Sequence, residues 1–137
     1  MKRNICIVND KFSGKAPNTE SVNISEINNI VNCSADYIVC YVLEYVDPNL
    51  SDNIIKVLLE KLRPGGYLLI AFTDFKFLSE KYSQSLVSDK DYMSNVFGKT
   101  NILSIEKITS CIVNDKYVVS KIDGEAVLSV TIHRVKP

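Results

Sequence analysis

The chain has 137 residues, 46% of them hydrophobic, and its 16 basic and 16 acidic residues cancel. That length fits one domain, 1–137, able to bury roughly two thirds of its unfolded surface, and the composition excludes disorder over most of its length. No dense basic run marks a nucleic-acid partner, and no stretch approaches the ~20 apolar residues of a membrane span.

Zero net charge predicts weak colloidal repulsion and a tendency to self-associate. The apolar run in MKRNICIVND is too short for a signal peptide. Of the four cysteines, Cys6, Cys40 and Cys111 lie in apolar runs, where a free thiol packs as a small hydrophobe. No C-x-x-C pair occurs, so the thiols read as reduced, in keeping with a cytoplasmic setting. One histidine, His133, and no tetrahedral ligand spacing argue against a metal site.

Asn4 to Val8 is β-branched and apolar, hence a buried strand. Asp10 to Thr19 holds Gly14, Pro17 and Asn18 and reads as a loop. Glu20 to Ile24 suits a short strand, and Ser25 can cap one or two helical turns. Asp36 to Val42 is apolar on both faces, as a central parallel strand must be. Asp47-Pro48-Asn49 reads as a break. Ser51 then caps a helix through Leu62, with Ile54, Ile55, Leu58, Leu59 and Leu62 on one face.

Pro64 stops that helix, and Gly65-Gly66 permit a reversal into the strand Tyr67 to Thr73. Asp74 caps a helix from Phe75 to Tyr82. Ser85 to Lys99 is polar and poorly periodic, an excursion or lid over one end of the sheet. Asn101 to Val113 reads as a helix with Ile102, Ile105, Ile108, Thr109 and Ile112 buried. Lys116 to Ile122 and Ala126 to Val135 form a hairpin around Asp123-Gly124. Strand-helix alternation ending in a hairpin predicts a three-layer α/β sandwich, Rossmann-like, with a mostly parallel sheet and a C-terminal antiparallel hairpin.

Three segments carry a family resemblance: Val42-Leu43-Glu44-Tyr45-Val46 after the central strand, Leu62-Arg63-Pro64-Gly65-Gly66 between helix and strand, and Thr73-Asp74-Phe75 at the next helix start. In this order they resemble the class I S-adenosylmethionine-dependent methyltransferases, over roughly Ser21 to Val135. The resemblance implies S-adenosylmethionine as cofactor, no metal, and a small-molecule methyl acceptor.

The first half departs from that pattern. The family sets a glycine-rich loop after its first strand, so that backbone can approach the cofactor without a Cβ in the way. Here the strand runs into Asn9-Asp10-Lys11-Phe12, with Gly14 alone nearby. The family also ends its second strand with an acid that accepts both ribose hydroxyls, and no equivalent stands out. Too few residues separate the first strand from the central one for the usual strand-helix units, so at least one unit is missing. The histidine of the family's Leu-Glu-His segment is Tyr45 here.

By this resemblance Asn9, Asp10, Asn23 and Tyr41 line the cofactor side, with Asn23 and Ser25 in the place of the family's third strand. Glu44 and Tyr45, with Tyr41, handle the acceptor, since a phenol and a carboxylate can move protons if their pKa values shift. The same residues also suit plainer roles: a surface turn at Asn9, Asp10 and Gly14, a helix cap at Asn23 and Ser25, a strand end at Tyr41 to Tyr45, a cap and a packing ring at Asp74 and Phe75. His133 reads as a surface or edge residue. Two functions follow. One is a methyltransferase-like protein whose cofactor site is reduced and catalysis degenerate. The other is a non-catalytic binding or structural module acting through a homodimer or a partner.

Overall fold

A computed structural model describes residues 2–10, 14–97, 103–112, 114–125 and 127–137. Six strands form one sheet: β1 Asn4–Val8, β2 Glu20–Asn23, β3 Ala35–Cys40, β4 Leu62–Thr73, β5 Tyr117–Gly124 and β6 Val127–Arg134. Their order is β2-β1-β3-β4-β6-β5. β2, β1, β3 and β4 run parallel, and β6 lies antiparallel between β4 and β5. The expected Rossmann-like α/β sheet with its antiparallel C-terminal pair is therefore present.

In the doubly wound order 3-2-1-4-5-6 the third strand lies at one edge. Here β2, β1, β3 and β4 take the second, first, fourth and fifth places. No strand among the described residues takes the third. The expected loss of a strand-helix unit is thus a loss at this edge, and β2 stands in the second-strand place rather than the third.

Pairing and alternation sort the side chains onto two faces. Ile5, Ile7, Ile38, Cys40, Leu68, Ile70, Phe72, Val130 and Ile132 share one face and are buried. Helix α1, Pro48–Lys61, packs there through Ile55, Leu58 and Leu59. A 3-10 turn, Ile24–Asn29, adds Ile27, and α4, Ile105–Thr109, adds Ile108. On the opposite face the buried cluster is small. It holds Cys6, Val8 and Val39, with Ala16, Tyr37, Tyr41 and Leu69 packed against it. No described helix contributes to it, so the layer over that face is thin.

Several boundaries differ from the sequence reading. Helix α1 begins at Pro48, because Asp47 caps it by accepting from the Asn49 N–H at 2.8 Å. Proline suits the first helical position, where its missing N–H has no partner to lose. Ser51 lies inside the helix, fully buried, and donates to the Pro48 carbonyl at 3.1 Å. Asp74 caps α2, Phe75–Ser83, as expected.

The Ser85 to Lys99 stretch contains a helix, α3, Asp89–Phe97. It joins α2 through the stacked rings of Tyr82 and Tyr92, 4.3 Å apart. Residues 98 and 99 lie outside the described part. The helix expected over Asn101 to Val113 is described only as Ile105–Thr109, started by Ser104, whose hydroxyl accepts from the Lys107 N–H at 3.1 Å. Residues 101, 102 and 113 are outside the described part, as is Ala126 of the hairpin. No described helix is long and apolar enough to cross a membrane.

Candidate functional site

In a doubly wound sheet a ligand crevice opens at the carboxyl ends of the strands, where the chain reverses its direction of progress across the sheet. The chain goes from β1 outward to β2, then returns past β1 to β3. The switch point therefore lies between β1 and β3. Asn9 and Asp10 leave β1 there, and Tyr41 leaves β3. Asn23 pairs with β1 one step away, opposite Val8. The topology thus gathers Asn9, Asp10, Asn23 and Tyr41, although they are spread over three strands.

Asn23 has two partners at this edge. Its Nδ2 donates to the Asp10 carboxylate at 3.2 Å. Its Oδ1 accepts from the backbone N–H of Ser25 at 3.0 Å and from the Ser25 hydroxyl at 2.9 Å. Asn23, not Ser25, is therefore the cap of the 3-10 turn. Gly14, the one glycine near β1, turns its carbonyl back onto the Cys6 thiol at 3.8 Å. Ala16 packs on the same small cluster. The described part of the loop after β1 therefore runs back against the strand.

Tyr41 is half-buried and sits beside Cys6, Val8 and Val39. Burial, with the nearby Cys6 thiol adding to it, holds its phenol above the ordinary value of 10.0. At neutral pH that phenol keeps its proton and offers a donor rather than a base.

A second 3-10 turn, Leu43–Tyr45, follows β3 and carries Glu44 and Tyr45. Glu44 is only 5% exposed. Its carboxylate accepts a short hydrogen bond from the backbone N–H of Thr73 at the end of β4. Nothing local in the sequence announces this partnership, which spans the gap between two parallel strands. Tyr41, Glu44, Tyr45, Ala71 and Thr73 border a cavity of about 180 Å3. Pockets for small organic ligands run from about 300 Å3 upward, so this hollow is narrow. A larger one, about 340 Å3, lies beyond Phe72 and is lined by Asp74, Phe75, Leu103 and Glu106. Asp74 also accepts the N–H groups of Lys76 and Phe77, at 3.2 and 3.4 Å. His133 is away from both hollows. It stacks on Tyr67 with ring centroids 4.2 Å apart.

Among the described residues, one pair has the chemistry of a nucleoside cofactor's ribose site. Asp10 and Asn23 offer an acceptor and a donor together, as a ribose diol requires. At the methionine end the family relies on bare backbone, and here the chain presents the side chains of Asn9 and Asp10.

No protein-family model matches this sequence, and no curated protein matches it. Solved structures do. A Thermotoga maritima S-adenosylmethionine-dependent methyltransferase, described as a possible histamine N-methyltransferase, superposes with TM-score 0.63 at 14% identity, over 98% of this chain and 83% of its own. An S-adenosylmethionine-dependent methyltransferase from Mesorhizobium loti gives 0.61 at 9% identity, over 96% of this chain and 90% of its own. Another from Archaeoglobus fulgidus gives 0.60 at 10%, over 96% and 86%. The chain has the class I S-adenosylmethionine-dependent methyltransferase fold, in a reduced form.

Proposed function

We propose that this protein is a methyltransferase-like module with a reduced S-adenosylmethionine site and no methyl-transfer activity. The exit of β1 is the observation that carries the reading. Close approach of a ligand to backbone needs glycine. Here the chain leaves β1 through Asn9 and Asp10, and Gly14 is turned toward Cys6. Asp10 and Asn23 can still hold a ribose, so nucleoside binding persists weakly. Methyl transfer needs the donor carbon in line with an acceptor, and one anchored end does not supply that.

The acceptor side agrees. Glu44 accepts from Thr73 and so braces β4. Tyr41 holds its proton. In this reading Glu44 and Tyr45 shape the sheet edge rather than activate a small-molecule acceptor. The three buried free thiols Cys6, Cys40 and Cys111 suit a reducing compartment such as the cytoplasm.

Thermal melting with S-adenosylhomocysteine tests this. At about 1 mM ligand, a Kd of about 1 mM stabilises the fold by only about 0.4 kcal/mol, whereas a micromolar Kd stabilises it by about 4 kcal/mol. The small shift is expected, and Asp10→Ala should abolish it. The large shift would overturn the reading. The thin second face of the sheet favours the other function, a binding module that works through a homodimer.

A further inference from the structure

The C-terminal hairpin carries a chemically reactive pair outside the cofactor edge. Strand β5 ends in Asp123-Gly124, and of the nine Asp residues in the sequence only Asp123 is followed by glycine. Both residues are exposed. The Gly124 N–H donates to Asp123 Oδ1 at 2.9 Å. Oδ2 of the same carboxylate lies 3.6 Å from the Lys121 ammonium. Together the two contacts orient the carboxyl group, with its carbon one bond beyond the oxygen that touches the Gly124 nitrogen.

We infer that Asp123-Gly124 is a site of spontaneous covalent modification, where the backbone isomerises from an aspartyl to an isoaspartyl link. Water is the only co-reactant. In the first step the Gly124 nitrogen attacks Asp123 Cγ of the protonated carboxyl group. A C–N bond forms, and the carboxyl hydroxyl leaves as water together with the amide proton. A five-membered succinimide closes. In the second step water adds to the ring carbonyl that was the Asp123 main-chain carbonyl, and the bond from that carbon to nitrogen breaks. The chain then runs through the former side-chain carbonyl, and the α-carboxyl group is free. Neither step oxidises or reduces anything.

Three features bring the reaction to this turn. An intramolecular attack is fast when the reacting atoms are already in contact, and the 2.9 Å contact supplies that. The attacking nitrogen belongs to a glycine, so no side chain crowds its approach. The fold also holds that glycine in place, because a Cβ at Gly124 would collide with the Val127 carbonyl.

The product does not fit the hairpin. An isoaspartyl link adds one carbon to the backbone, so Asp123 and Gly124 lose their register opposite Ser129 and Leu128. Val127 borders the hollow beside Tyr41 and Glu44, and Leu128 borders the one beyond Phe72. A change at the turn therefore reaches the walls of both hollows.

Peptide mapping of the purified chain, aged in warm, mildly acidic buffer, tests the proposal. Electron-transfer fragmentation separates isoaspartyl from aspartyl backbones, and the succinimide is lighter by one water. Isoaspartate is expected at residue 123, at least about fivefold above its level at any other Asp. The folded chain should form it at least as fast as the same chain held in urea. Asp123→Glu should abolish the signal, since its side chain can close only a slower six-membered ring. The inference is overturned by isoaspartate at residue 123 no higher than elsewhere, or by slower formation in the folded chain than in urea. A signal that persists in Asp123→Glu overturns it as well. This inference goes beyond the reading of the cofactor edge. Isomerisation is read by peptide mapping and nucleoside binding by melting, so either can fail alone.

Discussion

Glu44 accepts a hydrogen bond from the backbone N–H of Thr73, and this contact helps tie the turn after β3 to the end of β4. Both residues are buried. A buried N–H that loses its acceptor costs about 1–3 kcal/mol. Glu44→Ala should therefore lower unfolding stability by that amount in urea titration. Glu44→Gln keeps a carbonyl oxygen and should cost less. Full stability in Glu44→Ala would show that the carboxylate does not brace the edge.

Asn23 caps the turn that follows β2 and also holds Asp10. Replacing such a cap by alanine costs about 0.5–2 kcal/mol. Asn23→Ala should show this loss, while Asn23→Asp should retain the cap and set two carboxylates side by side. That second variant should lose stability as pH rises from 4 to 7, as the carboxylates ionise. A flat profile over that range would argue that Asp10 and residue 23 do not face each other.

Gly65 and Gly66 differ in what constrains them. Gly65 has φ +88° and open space around its Cα, so Gly65→Ala should cost about 1–2 kcal/mol from backbone strain alone. At Gly66 a Cβ would lie 2.9 Å from the carbonyl oxygens of Ala35 and Arg63. These are backbone atoms of β3 and β4, so Gly66→Ala must displace a strand and should cost more. Equal costs in denaturant titration would contradict the packing at this turn.

Burial pushes the Cys40 thiol from 9.0 up to about 12. Burial likewise raises the phenols of Tyr37, Tyr41 and Tyr117. In each case the folded protein holds its proton more tightly than the unfolded chain. The associated stability is complete below the unfolded value and is lost as pH rises through the folded one. Stability should fall steadily above about pH 9, and Cys40→Ala should reduce the slope by close to one proton. An unchanged slope would remove Cys40 from the account.

Much of the second half was legible. Leu62 to Gly66 stops a helix and opens a strand by local chemistry alone, and Asp74 caps α2 as its position implies. The start of α1 was misread because Asp47-Pro48 signals both a break and a helix entry, and the structure uses the second meaning. Helix α3 was hidden because it packs on α2 rather than on the core, so no apolar stripe marks it. At the site, the topology brings Asn23 to Asp10 and Glu44 to Thr73, contacts between strands that no local pattern encodes. The apolar run of β3 suggested cover on both faces. Its second face is covered by Ala16 of the loop after β1 together with Tyr37, Tyr41 and Leu69 of the sheet itself, not by a described helix.

Isothermal titration of the purified chain with S-adenosylmethionine and S-adenosylhomocysteine reads the cofactor edge itself. With that edge reduced, a Kd weaker than about 0.1 mM is expected for both, corresponding to less than about 5.5 kcal/mol of binding free energy. A Kd below about 10 µM for either, unaffected by Asp10→Ala, would mean that a complete cofactor site exists and that the reduced-site reading is wrong.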